Sequence, residues 1–229
     1  MTSLPPFALF FVGALAVAFT RGSVRKAVVL GVPLVGLVTL WMGAGQDVAA
    51  SGPQLLYQLE LIGYTLTLFR ADKLSLLFGY LFHLAAFLGF VYALHLGDGS
   101  VAADVGEDDV VGNGTAGLQH VAAMLYAGSA LGAVFAGDFI TLFVFWELLA
   151  ITSAFLIWAR NSERSFATGF RYLIIHVVSG VMLLSAALMI AHETGSIEFG
   201  AVPLDGTAAW ILLLSFGIKA GFPLVHNWV

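Results

Sequence analysis

Residues 139–158, FITLFVFWELLAITSAFLIW, run for twenty positions with one charge among them. A run of that length and polarity matches the hydrocarbon thickness of a bilayer, which a helix crosses in about 20 apolar residues. Six further runs share the character. Together the seven cover about 5–20, 25–44, 73–96, 118–136, 138–159, 165–191 and 207–226, with boundaries good to roughly 2–4 residues. Of the 229 residues, 60% are hydrophobic and 10% are charged. A soluble domain is about half apolar and about a quarter charged. The expected fold class is therefore an all-α integral membrane protein of about seven transmembrane helices. No basic residue precedes the first apolar run in MTSLPPFALFF, so it reads as a retained span rather than a signal peptide. Cysteine is absent, which excludes disulfides and thiolate metal sites.

Two connections carry information. In QLLYQLELIGYTLTLF, residues 54–69, Tyr57, Leu59 and Leu61 alternate with Gln58 and Glu60; beyond Gly63, Tyr64, Leu66 and Leu68 alternate with Thr65 and Thr67. Period-two alternation on both sides of a glycine predicts a short β-hairpin outside the bilayer; an irregular loop is the alternative. The segment 97–117 holds five acidic residues, many glycines and no basic residue, and reads as a solvated loop. A divalent-ion site from Asp104, Glu107, Asp108 and Asp109 fits no known calcium-loop spacing, and no metal site is assigned.

Orientation follows from Lys and Arg alone. Arg21, Arg25 and Lys26 flank the first connection and Arg160 and Arg164 the fifth, against Arg70 and Lys73 beside the hairpin. Five against two places the first and fifth connections in the cytoplasm and the N-terminus outside. The far end of the seventh span is assigned outside as well.

Most charges sit in connections, but Glu147 lies deep in the fifth run and Lys219 deep in the seventh. A charge at the bilayer centre costs about 2.5–3.5 kcal/mol on insertion scales, so such residues are retained for a use. They either form a structural ion pair or belong to a relay of protonatable groups. Lysine can exist charged or neutral according to its surroundings, which arginine cannot. Ser215 is one turn before Lys219 and Pro223 one turn after, with Gly217 and Gly221 on either side. A proline there cannot donate to the carbonyl of Lys219, so a break is expected just after the lysine, with His226 beyond it. Broken helices within membranes recur where ions bind. In the sixth run Arg171 and His176 also fall inside the span, and Tyr172, His176 and Ser179 share one face. His176 serves either as a relay or as a helix–helix hydrogen-bonding residue. His83 and His120 are more equivocal. Nucleotide, zinc-protease and serine-hydrolase motifs are absent, as is any haem or quinone signature, so no cofactor is expected.

FVFWELL, FRYLIIHVVSG and SFGIKAGFPLVHNWV, with RADKLSLLFGYLF before and within the third span, resemble the antiporter-like subunits of respiratory complex I and of Mrp-type multisubunit sodium/proton antiporters, most closely the Mrp D subunit. The resemblance covers roughly residues 70–229. It implies a core of about fourteen helices in inverted repeats, each with a discontinuous helix, of which this chain would be the first half. It also implies that Glu147 and Lys219 form a coupled pair in a proton half-channel, with His176 at a relay position. The second repeat is not in the sequence, and ending at Val229 inside a motif suggests a truncated chain. Residues 1–69 then hold two spans and the hairpin, and 70–229 the first part of the translocating domain.

The expected function is proton translocation in a multisubunit sodium/proton antiporter of the plasma membrane, in company with other membrane subunits. It is ion translocation rather than chemical catalysis. The alternatives are a proton-pumping subunit of an NADH or ferredoxin dehydrogenase, the membrane subunit of a bicarbonate-uptake complex, and a structural scaffold.

Overall fold

A computed structural model describes residues 4–61, 63–97, 113–159 and 162–223. Seven helices and one hairpin make up the described chain: α1 (Pro6–Phe19), α2 (Gly22–Ser51), β1 (Gln54–Leu61), β2 (Tyr64–Ala71), α3 (Lys73–Gly97), α4 (Asn113–Val134), α5 (Phe139–Trp158), α6 (Glu163–Thr194) and α7 (Thr207–Ala220). Four of these, α2, α3, α5 and α6, are long and apolar enough to cross a membrane, and α1 and α7 are apolar but shorter. The outward surface is apolar too: Leu77, Leu81, Leu84 and Leu88 on α3 and Phe170, Ile174, Val178 and Val181 on α6 are exposed. In water such a face would be covered; in lipid it meets its own kind.

The helix ends follow from local chemistry. Pro6 occupies the first turn of α1, where a missing N–H costs nothing. Ser162 and Ser165 close a capping box at the start of α6, and Gly195 ends it in the left-handed conformation. Within α2, residues Trp41–Gly45 widen into a π-turn before the helix resumes.

The expected hairpin is present, running two residues further than predicted. Gln54 pairs with Ala71 and Leu61 with Tyr64, and Gly63 takes φ 79° in the turn. Strand β2 is fixed to the link between α4 and α5. The Arg70 N–H donates to the Phe135 carbonyl (2.7 Å), the Gly137 N–H to the Thr67 carbonyl (2.9 Å), and the Phe69 and Phe135 rings stack at 4.8 Å. Asp138 completes the joint. Its carboxylate, 0% exposed, caps α5 by accepting from the Thr141 N–H and hydroxyl, and also accepts from the Thr67 N–H, each at 2.7 Å.

Neighbouring helices run antiparallel. Close approaches of Gly45 to Tyr80, Gly132 to Phe145 and Gly169 to Trp158 set the end of one helix beside the start of the next, and Gly79 near the start of α3 meets Phe135 just past the end of α4. With the seven described helices running alternately, α7 ends at the opposite end of the bundle from the start of α1. If each helix crosses the membrane, an odd number of passes puts the end of the seventh span on the side opposite the N-terminus, so the two ends cannot both lie outside. The hairpin marks one face; Arg21, Arg25, Lys26 and Arg164 mark the other. The acidic loop residues Asp104 to Asp109, together with Arg160 and His226, lie outside the described residues.

Two apolar cores form. One joins α1, α2, α3, α4 and β2 around Phe10, Leu131 and Phe135. The other joins α5, α6 and α7 around Trp146, Leu183 and Leu212. The second holds the polar residues considered next.

Candidate functional site between α5, α6 and α7

The fold brings Glu147, Lys219, His176, Ser179, Ser215 and Tyr172 into one three-helix group. The predicted face of α6 is observed: His176 (1% exposed) and Ser179 (0% exposed) are buried, and Tyr172 is half-buried. Arg171, one residue round the helix, is exposed on the outside and does not join them. A 100° step per residue suffices to separate it from Tyr172. His83 is buried in the other core, where its Nδ1 meets the Gly79 carbonyl at 2.6 Å and its ring packs on Phe10.

Helices α6 and α7 are fastened by a reciprocal pair of hydroxyls. The Ser179 hydroxyl donates to the Ser215 carbonyl (2.9 Å) and the Ser215 hydroxyl to the Ser179 carbonyl (2.7 Å). The Trp146 indole N–H of α5 donates to the Ser179 oxygen at 3.3 Å, tying in the third helix. Both serine protons are thus committed to backbone acceptors. Toward the basic face, the Ser153 and Tyr172 hydroxyls are 2.7 Å apart. The Tyr172 ring stacks on His176 at 3.9 Å, and His176 Nδ1 lies 2.9 Å from the Tyr172 carbonyl.

Glu147 of α5 and Lys219 of α7 face the same interface. They are not in contact as an ion pair. Among the described residues, the salt bridge within 4.0 Å is Arg70–Asp72 at 3.6 Å. The Lys219 ammonium instead donates to the Trp146 carbonyl at 3.0 Å and stands 4.7 Å from the centre of the Trp146 ring. The Glu147 carboxylate lies against the backbone of α6 at Gly180, where a Cβ would collide with Oε1, and that oxygen is buried without a hydrogen-bond partner.

Helix α7 stops at Ala220, just after Lys219, in a left-handed Gly221 (φ 72°, ψ 42°). The Phe222 N–H returns to the Gly217 carbonyl (2.9 Å) and the Gly221 N–H to the Ile218 carbonyl (3.2 Å). This double return is a Schellman turn. Phe222 lays its ring over Gly217, leaving no room for a side chain there. Pro223 follows the turn and cannot continue the helix beyond it. Lys219 consequently occupies the last turn, where unpaired carbonyls make the helix end negative and favour a cation.

Trp146, Gly180 and Asp138 were not singled out from the sequence. For Asp138 a signal existed: aspartate with threonine three residues on, ahead of an apolar run, is an N-cap pattern. For Gly180 and the Trp146 carbonyl none existed, because their roles depend on which helices face each other.

The family model of the NADH:quinone oxidoreductase/Mrp antiporter transmembrane domain matches residues 136–229. Hydrogenase-4 component B of Escherichia coli (strain K12) is 31% identical over 93 residues, 38% of this chain and 14% of its own length. A probable K(+)/H(+) antiporter protein of Rhizobium meliloti (strain 1021), the A/B component of its complex, is 30% identical over 237 residues, 96% of this chain and 22% of its own. Among solved structures, the membrane-bound sulfane sulfur reductase, an archaeal respiratory membrane complex, shares the fold with a TM-score of 0.74 at 18% identity, over 99% of this chain and 46% of that one. The Mrp complex from Dietzia sp. DQ12-45-1b gives 0.66 at 21% identity, over 100% and 43%. Respiratory complex I from Thermus thermophilus gives 0.66 at 18%, over 99% and 46%. This chain spans less than half the length of each of these proteins. Residues 136–229, the part holding α5, α6 and α7, belong to the NADH:quinone oxidoreductase/Mrp antiporter transmembrane family, and the chain as a whole carries the antiporter-like fold.

Proposed function

We propose that the chain is the N-terminal, proton-translocating part of one component of a multisubunit sodium/proton antiporter, similar to the Mrp D subunit. It works beside other membrane subunits in the plasma membrane, with the N-terminus and hairpin outside. The carrying observation is that two ionisable side chains share one interface of an apolar bundle without pairing: the Lys219 ammonium of α7 sits on the carbonyl of Trp146, the residue before Glu147 on α5, while the Glu147 carboxylate lies against Gly180 of α6. A proton held at Glu147 advances or stays according to whether the Lys219 ammonium is near. Coulomb energy is large where the local dielectric is low, so moving one charge changes the proton affinity of the other. His176, Tyr172 and Ser153 give a polar route from this pair toward the basic face, and residues 70–229 form the translocating part.

In the assembled full-length complex, Lys219→Ala should abolish sodium-driven proton transport in proteoliposomes while the components still co-purify. Normal antiport in that variant would overturn the reading. Repeating the assay with potassium tests the cation, since the Rhizobium meliloti relative bears a potassium name. If replacing Glu147 and Lys219 together by apolar residues left transport intact, the scaffold reading would hold instead.

A further inference from the structure

We propose that Trp146 is a positioning residue that seats the Lys219 ammonium apart from Glu147, through its peptide oxygen and the face of its indole ring. The inference rests on the proton-translocating reading and deepens it.

The seat has two walls, and the ring that forms one of them is itself braced. The Trp146 carbonyl takes one ammonium N–H at 3.0 Å. The ring face lies 4.7 Å from Nζ, within cation–π range. The ring itself cannot swing freely: its N–H is held by Ser179 on α6 at 3.3 Å, and Phe216 on α7 meets it edge-on at 5.2 Å and 75°. Ser179 is in turn locked to Ser215, one helical turn before Lys219. The same helix pair that carries the lysine therefore aims the ring that receives it.

Glu147 is the next residue of α5, yet its carboxylate is directed to Gly180 on α6. Consecutive residues of one helix thus hold the two charges in separate berths. A bare lysine and glutamate in a dry interior would collapse into a tight pair, and a permanently tight pair cannot pass a proton onward. The Trp146 seat holds the separated arrangement open.

The test compares Trp146→Leu, Trp146→Phe and Lys219→Ala in the assembled complex, by proteoliposome proton transport and by co-purification of the components. Phenylalanine keeps a ring face but loses the N–H; leucine loses both. Leucine should slow transport about tenfold, the size expected from losing a desolvated cation–π contact. Phenylalanine should stay within about threefold of wild type. Tryptophan fluorescence gives a second reading: the change caused by Lys219→Ala should vanish in a Trp146→Phe background. Assembled Leu and Phe variants that behave alike, or a fluorescence change that persists, would overturn the seat. Trp146→Met replaces the leucine variant if that fails to assemble, and failure of both would assign Trp146 to packing and overturn it. A silent Lys219→Ala rejects the proton-translocating reading as a whole. An inactive Lys219→Ala beside a normal Trp146→Leu rejects the seat alone.

Discussion

Gly180→Ala separates the positioning of Glu147 from the stability of the bundle. A Cβ at Gly180 would overlap Glu147 Oε1 and stand 2.7 Å from its Cδ, so the carboxylate has to leave its berth. What moves is the far end of a flexible side chain rather than a helix. Overpacking costs about 1–3 kcal/mol, and replacing glycine by alanine inside a helix returns up to about 1 kcal/mol. The net change in stability is then small, about 1 kcal/mol. Function should respond far more. Misplacing a reacting group by about 1 Å can cost about a hundredfold in rate, equivalent to about 2.7 kcal/mol of barrier. The assay is proton transport by the full complex in proteoliposomes, alongside thermal unfolding in detergent. Gly89→Ala is the control, since nothing lies within 4 Å of a Cβ there. Transport by Gly180→Ala within twofold of wild type would refute the reasoning, because the carboxylate's place against α6 would then not matter.

Asp138→Ala removes the α5 cap and leaves the buried Thr67 N–H without its acceptor. The two losses together should cost about 2–4 kcal/mol, read as lowered thermal stability and faster hydrogen exchange at Thr67 and Arg70. Unchanged exchange there would show that the hairpin is held by other contacts. Gly221→Val forces a branched residue into φ 72° and should cost about 1–2 kcal/mol in thermal unfolding. Pro223→Ala should cost less than about 0.5 kcal/mol; equal effects of the two would return the helix end to the proline.

Much of this architecture was legible in the chain. Leu59 and Leu61 alternate with Gln58 and Glu60, a period only a strand satisfies, and Gly63 supplies the turn. Glu147 and Lys219 stood out because a charge in a long apolar run is rare and costly. The Tyr172–His176–Ser179 face followed from helical geometry alone. The form of the α7 end was not legible, because hydropathy does not register a change of φ at one glycine.

What the sequence by itself determined was the kind of solvent the chain prefers, the segments that become helices, the hairpin and the residues too polar to be there by accident. Which of those residues touch was decided only by tertiary structure. A helix apolar on every side carries no stripe to say which face meets which neighbour. The choice comes from close packing: Gly180 admits the Glu147 carboxylate, Ser179 and Ser215 interlock, and the Trp146 carbonyl and ring reach Lys219 before any carboxylate does. Each of these contacts joins residues at least 33 positions apart, and their fit depends on shape at the scale of a single methyl group, which no local pattern of residue types encodes.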